Sequence, residues 1–334
     1  MNPQRPWMVG MLHVPVNTIL AAPAAHRAAL ELPAPIADDW AVLRVLEEAA
    51  LPEFPSLLLA ATAIQSAREQ VRRLSFYRFL EDRLLAEAAL YRQHGFHALM
   101  IENVAGPYFV RGGQPAVLYW VMQALAERLR KAHPGVRMGI QVLAYSDDWA
   151  MDIACRSGLD FVRCESALFE GLRPEGRAPN RGNLAKLYMA RQQLLANLGE
   201  DHTEPQVYVD LHKKHTVFSG GLEPLDPWLE NILFQKLEGI IITGKATGSE
   251  VAEADLRQAR EAVEKVKAQT SATLGRAWAP PLLVGSGVTS ENLSLCARYA
   301  DGVIVGSSLK QGGYWENPLD EERVEKLAEA WSHL

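Results

Sequence analysis

Asp210 and His212 stand two residues apart in the apolar run QVYVDLH (206–212). Alternate side chains of an extended chain share a face, so this spacing would bring a carboxylate and an imidazole together. A carboxylate in that position orients the ring and raises its basicity, which is what proton transfer at neutral pH requires. Arg163 and Glu165 repeat the spacing in FVRCE (161–165). Either pair could instead be a buried ion pair bracing a protein interior, and residue types alone leave both readings open. Lys245, in IITGKATG (241–248), could hold a phosphate or act as a Schiff-base amine if its pKa is lowered. A solvated lysine is the plainer alternative. Asp210, His212 and His215 are also hard or borderline metal ligands. Their spacing fits no strong metal signature, so a divalent metal is a minor alternative and no cofactor is expected.

A second kind of chemistry is written in PLLVGSGVTSENLSLCARYADGVIVGSSLK (281–310). Two hydrophobic runs each end in small residues: Gly285, Ser286 and Gly287 in the first, Gly306, Ser307 and Ser308 in the second. Glycine lets backbone approach a ligand closely, and N–H groups at a helix start attract an anion. Thr243 and Gly244 end an earlier run in the same style. The segment GSSLKQGG (306–313) reads as one short helical turn, opened by serine and stopped by Gly312 and Gly313. Gly-Ser pairs also make ordinary tight turns. Their recurrence at matching run ends favours an anion site, and therefore a phosphorylated small-molecule ligand.

These residues need elements to position them. Strand-like runs occur at 7–14, 98–103, 138–144, 161–165, 206–212, 239–244, 281–287 and 302–307. Continuous Val, Ile and Leu suit strands buried on both faces, as in parallel sheets. Helix-like segments lie near 76–95, 115–133, 147–157, 184–198, 227–237, 250–269, 290–298 and 320–332. Thr289 or Ser290 is placed to cap the helix after Gly287, with Glu291 in its first turn, and Gly95 and Gly158 stand where helices should stop. Eight strands alternating with helices predict an α/β fold, a single (β/α)8 TIM barrel over residues 1–334. An open doubly wound sheet is the competitor, but no GxGxxG follows an early strand. Residues 15–75 read as a long insertion after strand one, with one helix-like piece, DDWAVLRVLEEAA. A connection this long is expected to be a lid or an oligomer contact, or a flank decoration. In such a barrel the carboxyl ends of the strands carry function. Those ends are His13; Glu102 and Asn103; Tyr145, Asp147 and Asp148; Arg163 and Glu165; Asp210 and His212; then Thr243 onward.

Composition excludes several classes. The 334 residues are 48% hydrophobic and 22% charged, which is globular, and the net charge of −6 argues against nucleic-acid or anionic-membrane binding. Cys155, Cys164 and Cys296 form no CxxC pair. They read as reduced thiols of a cytoplasmic protein, with no cleavable leader at the start and no transmembrane segment.

At the same residues the sequence resembles the BtpA family. The resemblance is carried by VGMLHVP (9–15), IENV (101–104), VDLHKKH (209–215), IITGKATG (241–248) and LLVGSGVTSENL (282–293). ADGVIVGSSLK (300–310) and NPLDEERV (317–324) complete it. It implies a barrel of the ribulose-phosphate-binding type. The family's polar positions fall on His13, Glu102, Asn103, Asp210, His212, Lys214, His215, Thr243, Lys245, Ser286, Ser307 and Ser308. The chain departs from the pattern with AYSDD after strand three, VAGPYF after the Glu-Asn pair and Arg163-Cys164-Glu165 after strand four. The expectation is an enzyme on a phosphorylated sugar or nucleotide-like compound, working by isomerisation, lyase chemistry or glycosyl transfer, as a homo-oligomer. Asp210, His212, Glu102, Lys245, Glu165 and Lys214 are the candidate catalytic groups. His13, Asn103, Arg163, His215, Thr243 and Gly244 are candidate binding groups, together with the two Gly-Ser clusters. The alternative, which the family's name suggests, is a non-catalytic assembly factor of photosystem I biogenesis.

Overall fold

The computed structural model describes residues 7–49, 61–104, 115–165, 167–168, 171–173, 176–177, 184–199, 202–212, 217–218, 235–244, 251–275 and 277–334. In chain order the strands are β1 (Trp7–Val14), β2 (Ala98–Asn103), β3 (Arg137–Gln141), β4 (Phe161–Cys164), β5 (Gly171–Arg173) and β6 (Gly176–Arg177). They continue with β7 (Gln206–His212), β8 (Val217–Phe218), β9 (Gly239–Ile242), β10 (Leu282–Val284) and β11 (Gly302–Val305). Eight of them close into a barrel in the order β1-β11-β10-β9-β7-β4-β3-β2, every pairing parallel, while β5, β6 and β8 form a small sheet. All eight expected runs are barrel strands, and the fold is the (β/α)8 barrel.

Burial explains the composition of these strands. In β9 and β11 every residue is buried, because the barrel interior takes one face and the surrounding helices the other. The interior is filled rather than hollow. Phe161 and Tyr208 stack with centroids 5.3 Å apart. A Cβ on Gly139 would lie 2.1 Å from the Phe161 ring, and one on Gly239 2.3 Å from the Tyr208 ring. Glycines on β3 and β9, the strands that flank β4 and β7, thus make room for the two aromatic rings.

The helices are α1 (Val16–Ala21), α2 (Ala24–Ala29), α3 (Ala37–Glu48), α4 (Ala61–Val71), α5 (Ser75–Gln93) and α6 (Ala116–Ala132). They continue with α7 (Asp147–Ser157), α8 (Leu184–Leu198), α9 (Glu253–Leu274), α10 (Leu293–Tyr299) and α11 (Glu321–Ser332). Gly158 ends α7 in the left-handed region at φ 65°, and Gly95 follows α5 at φ 76°. The helix expected near 227–237 lies outside the described residues, apart from its last positions. One expected start shifts. Helix α10 begins at Leu293, because Thr289 and Asn292 bond to each other and Asn292 donates to the Gly287 carbonyl at 2.8 Å. Those side-chain bonds hold residues 289–292 in a turn and delay the helix.

Among the described residues of 15–75 there are four helices where one was expected. The three that were missed are short or Ala-rich, and only α3 matches the expected piece. Val42, Leu43 and Leu46 of α3 join the main apolar core. Asp39, buried, accepts from the Ile36 N–H at 2.8 Å, the Ser75 N–H at 2.7 Å and the Ser75 hydroxyl at 2.6 Å. Glu47 accepts from the N–H groups of Ala116 and Val117 at 2.9 and 3.2 Å. Both carboxylates thereby satisfy first-turn donors, of α5 and of α6, and favour the positive ends of those helices.

Lys310, just beyond β11, is wholly buried, with its Nζ 2.7 Å from Glu87 of α5. Burial pulls its pKa down to about 8 despite the pull of Glu87 in the other direction, and nearby Arg83 lowers it further. Between pH 8 and the unfolded value of 10.5 the unfolded chain therefore binds more protons, so this group's contribution to stability rises with pH through that window. We expect the unfolding free energy of the native protein, relative to Lys310→Met, to increase by on the order of 3 kcal/mol across it. Urea titrations of both proteins at several pH values measure this, and parallel pH profiles would contradict it.

Candidate functional site

An apolar layer crosses the barrel, built from Val9, Met11, Ala98, Met100, Phe161, Tyr208, Ile241, Leu283 and Ile304. One step of two residues toward the carboxyl ends, the chemistry changes on every strand. Met11 gives way to His13, Met100 to Glu102, Gly139 to Gln141 and Phe161 to Arg163. Tyr208 gives way to Asp210, Ile241 to Thr243, Leu283 to Gly285 and Ile304 to Gly306. The period of two in a strand keeps each pair on the inner face. The result is a ring of polar side chains and glycines above a sealed apolar floor.

This ring opens into a cavity of about 200 Å³. His13, Glu102 and Arg163 line one part, and Gly285, Ser286, Gly287, Val288, Thr289, Gly306, Ser307, Ser308 and Gly313 the rest. That is less than the roughly 300–1,000 Å³ of a site for a whole drug-sized ligand. Among the described residues it has room for a compact head group.

Arg163 and Asp210 form the strongest contact. The guanidinium Nε lies 3.2 and 3.1 Å from the two Asp210 oxygens and Nη2 lies 2.9 Å from Oδ1, while Nη1 donates to the Gly285 carbonyl at 3.2 Å. Both side chains are buried, at 2% and 0% exposure. Burial alone would lower the Arg163 pKa, but Asp210, with Glu102 and Glu165 behind it, holds it raised. Two same-strand pairs were expected, Asp210 with His212 and Arg163 with Glu165. The structure adds a cross-strand pair between β4 and β7, because parity names the face a residue points to and not its neighbour across the sheet. It also shifts the register between Asp210 and His212, where Leu211 has no partner on β9. The alternation that would align those two side chains is interrupted there.

His13 is nearly buried. Its Nδ1 lies 2.9 Å from the Trp315 carbonyl, and its Nε2 3.8 Å from Glu102. A ring nitrogen facing a carbonyl must carry the proton, so Nδ1–H donates and Nε2 is turned toward Glu102. Asn103 has the opposite parity and does not line the cavity. It donates to the Leu143 carbonyl at 2.8 Å and accepts from the Leu143 N–H at 2.6 Å, clamping the end of β3. Glu165 accepts the Tyr145 N–H at 3.0 Å, and its own N–H donates to Asp147 at 3.1 Å.

The glycines and serines have definite jobs. A Cβ on Gly285 would meet Ile241 at 2.4 Å and the Arg163 guanidinium at 3.0 Å, and one on Gly306 would meet the His13 ring at 3.1 Å. These two glycines make space for the polar ring. Gly287, at φ 72°, takes a turn that other residues adopt with strain. Ser286 accepts the Gly244 N–H at 3.2 Å, and Ser308 donates to the Val288 carbonyl at 2.6 Å. Residues Ser307–Leu309 form the expected short turn, of 3-10 type, followed by a second at Gln311–Gly313.

The side chain of His212 lies outside the described residues, as do Lys214, His215 and Lys245. Among the described residues no group of three His, Cys, Asp or Glu side chains could hold a metal ion, and no helix is long and apolar enough to cross a membrane. Gln141, Trp315 and Gly313 were missed as site neighbours. Gln141 had the right parity within its expected strand; Trp315 acts through its backbone carbonyl, which no side-chain pattern reveals.

The profile of the BtpA family matches residues 78–333, which include every described member of the polar ring except His13. The chain belongs to the BtpA family. An uncharacterized protein of Pyrococcus horikoshii is 31% identical over 74% of this chain and 85% of its own length. A mitochondrial uncharacterized protein of Caenorhabditis elegans is 26% identical over 98% of this chain and 93% of its own. The photosystem I biogenesis protein BtpA of Synechocystis is 27% identical over 75% and 78%. Among solved structures, Mycobacterium tuberculosis tryptophan synthase superposes with a TM-score of 0.48 at 15% identity, covering 98% of this chain and 93% of that one.

Proposed function

We propose that this BtpA-family barrel is an enzyme acting on a phosphorylated sugar or nucleotide-like compound, by isomerisation, lyase chemistry or glycosyl transfer. What carries the reading is the ring of polar residues two positions beyond the apolar floor, opening on a wall of glycine and serine. A protein that only braces others gains nothing from setting His13, Glu102 and the buried Arg163–Asp210 pair at one barrel mouth, since buried charge is costly. In this reading the phosphate rests against Gly285, Ser286, Gly287, Ser307 and Ser308, with Lys245 as the proposed cation. His13 and Glu102 face one another across the floor as the proton-transfer pair. Asp210 holds Arg163, whose guanidinium presents positive charge beneath the glycine wall. His212, Lys214 and Glu165 are the further groups assigned to the acid–base set. The second reading, a non-catalytic assembly factor, draws support from the 27% identity to the photosystem I biogenesis protein.

A carboxylate at position 307 separates the two. Ser307→Asp places negative charge on the cavity wall, and the lost charge-assisted contacts alone are worth roughly 1.5–3 kcal/mol, before repulsion is counted. Titration calorimetry with inorganic phosphate and a panel of phosphosugars and nucleotides should show binding to the native protein and none to the variant. Equal binding by both would remove the phosphate site from this cavity.

A further inference from the structure

The loop after β11 does more than close the barrel. It folds back on itself through the Lys310–Leu319 bridge and the Gln311 N–H to Pro318 carbonyl bond of 3.0 Å, and so delivers the Trp315 carbonyl to His13. The residue beside that carbonyl is Glu316, a carboxylate only 1% exposed. One of its oxygens takes a short hydrogen bond from the Thr18 hydroxyl in α1, and the other lies 3.1 Å from His26 Nε2 in α2. Its backbone carbonyl accepts from Arg83 of α5 at 2.7 Å. A buried carboxylate must have such partners, because an unpaired charge inside a protein is costly. Glu316 is thus held from three helices, and the adjoining carbonyl is held with it.

We infer that Glu316 is a positioning residue for His13: anchored by Thr18 and His26, it fixes the Trp315 carbonyl against Nδ1 and so keeps Nε2 turned toward Glu102 and the cavity. The tautomer of a histidine is set by the hydrogen bond its other nitrogen makes. Here that bond depends on a side chain that itself touches neither the ring nor the cavity. The inference rests on the reading of His13 as a working group of the mouth, but it makes a claim about the free protein that needs no substrate. It also gives the helices after β1 a part in the site, since two of the carboxylate's partners lie in α1 and α2, beside the Tyr314 hydroxyl of its own loop.

Long-range proton–nitrogen spectra of histidine-labelled protein, taken where the imidazoles are neutral, test it, with His13→Asn used to assign the signal. The native ring should be protonated at Nδ1. In Glu316→Ala it should move toward the Nε2-protonated form that free imidazole side chains prefer. Thr18→Val, which removes one anchor and leaves the carboxylate in place, should move it part of the way, and Thr18→Ser, which keeps the hydroxyl, should restore the native signal. A native ring protonated at Nε2 would overturn the inference. So would an unchanged Nδ1-protonated ring in a folded Glu316→Ala. If that variant does not fold, an unchanged ring in Thr18→Val overturns it equally. Phosphate calorimetry on the native protein reports separately on the proposed function, so the failure of one can be told from the failure of the other.

Discussion

Asp210→Asn is expected to destabilise the folded protein by about 3–5 kcal/mol, the usual cost of breaking a buried ion pair by removing one partner. Asp210 is fully buried and accepts a guanidinium in a bidentate geometry. Asparagine would leave the Arg163 charge buried beneath the glycine wall without its paired carboxylate, with only the more distant Glu102 and Glu165 to offset it. Replacing both partners together, as Arg163→Met with Asp210→Leu, should recover much of the loss, because the cost lies in the orphaned charge more than in the missing attraction. Denaturant midpoints of the single and double variants decide the matter. An Asp210→Asn protein as stable as the native one would mean that the pair does not brace the barrel mouth. Loss of turnover in such a stable variant would instead mark Asp210 as a direct participant in the chemistry.

His13→Asn and Glu102→Gln form the second large expectation. Loss of a general acid or base typically costs about 10²–10⁴-fold in rate. Neither substitution creates a cavity in the apolar floor, so melting temperatures should stay near the native value while turnover falls by that factor. The substrate panel that shows calorimetric binding supplies the assay. His212→Asn belongs in the same series, because its backbone ends β7 beside Ile242. Should all three variants turn over a bound substrate at the native rate, the proton-transfer set lies elsewhere.

The fold could be read almost entirely from sequence, and the reason is physical. Strands buried on both faces need unbroken apolar runs, and GIII and GVIV can hardly be anything else between helix-length segments. The site was legible in a more limited way. Position at a strand's carboxyl end singled out His13 and Glu102, and parity gave Arg163 and Asp210 their common face, because alternation depends on the strand alone. Partnership was not legible: Arg163 meets Asp210 across the sheet, and the register shift after Asp210 leaves no trace in residue types. Nor did Asn103 show that its amide would clamp Leu143. Helix α10 shows the same limit at short range, where Asn292 competes for the backbone that Thr289 and Ser290 were expected to cap. The glycines had two meanings that sequence cannot separate. Gly287 serves a turn, whereas Gly285 and Gly306 make space for Arg163 and His13.

The proposed function stands on phosphate binding at the carboxyl ends of β10 and β11. A high-resolution crystal structure of the protein soaked with those phosphosugars and nucleotides that show calorimetric binding tests it most directly. Phosphate density is expected against the backbone of residues 285–287 and 307–308, with the rest of the ligand directed toward His13 and Glu102. Phosphate bound outside this cavity, or a cavity left empty by every ligand that binds in solution, would contradict it.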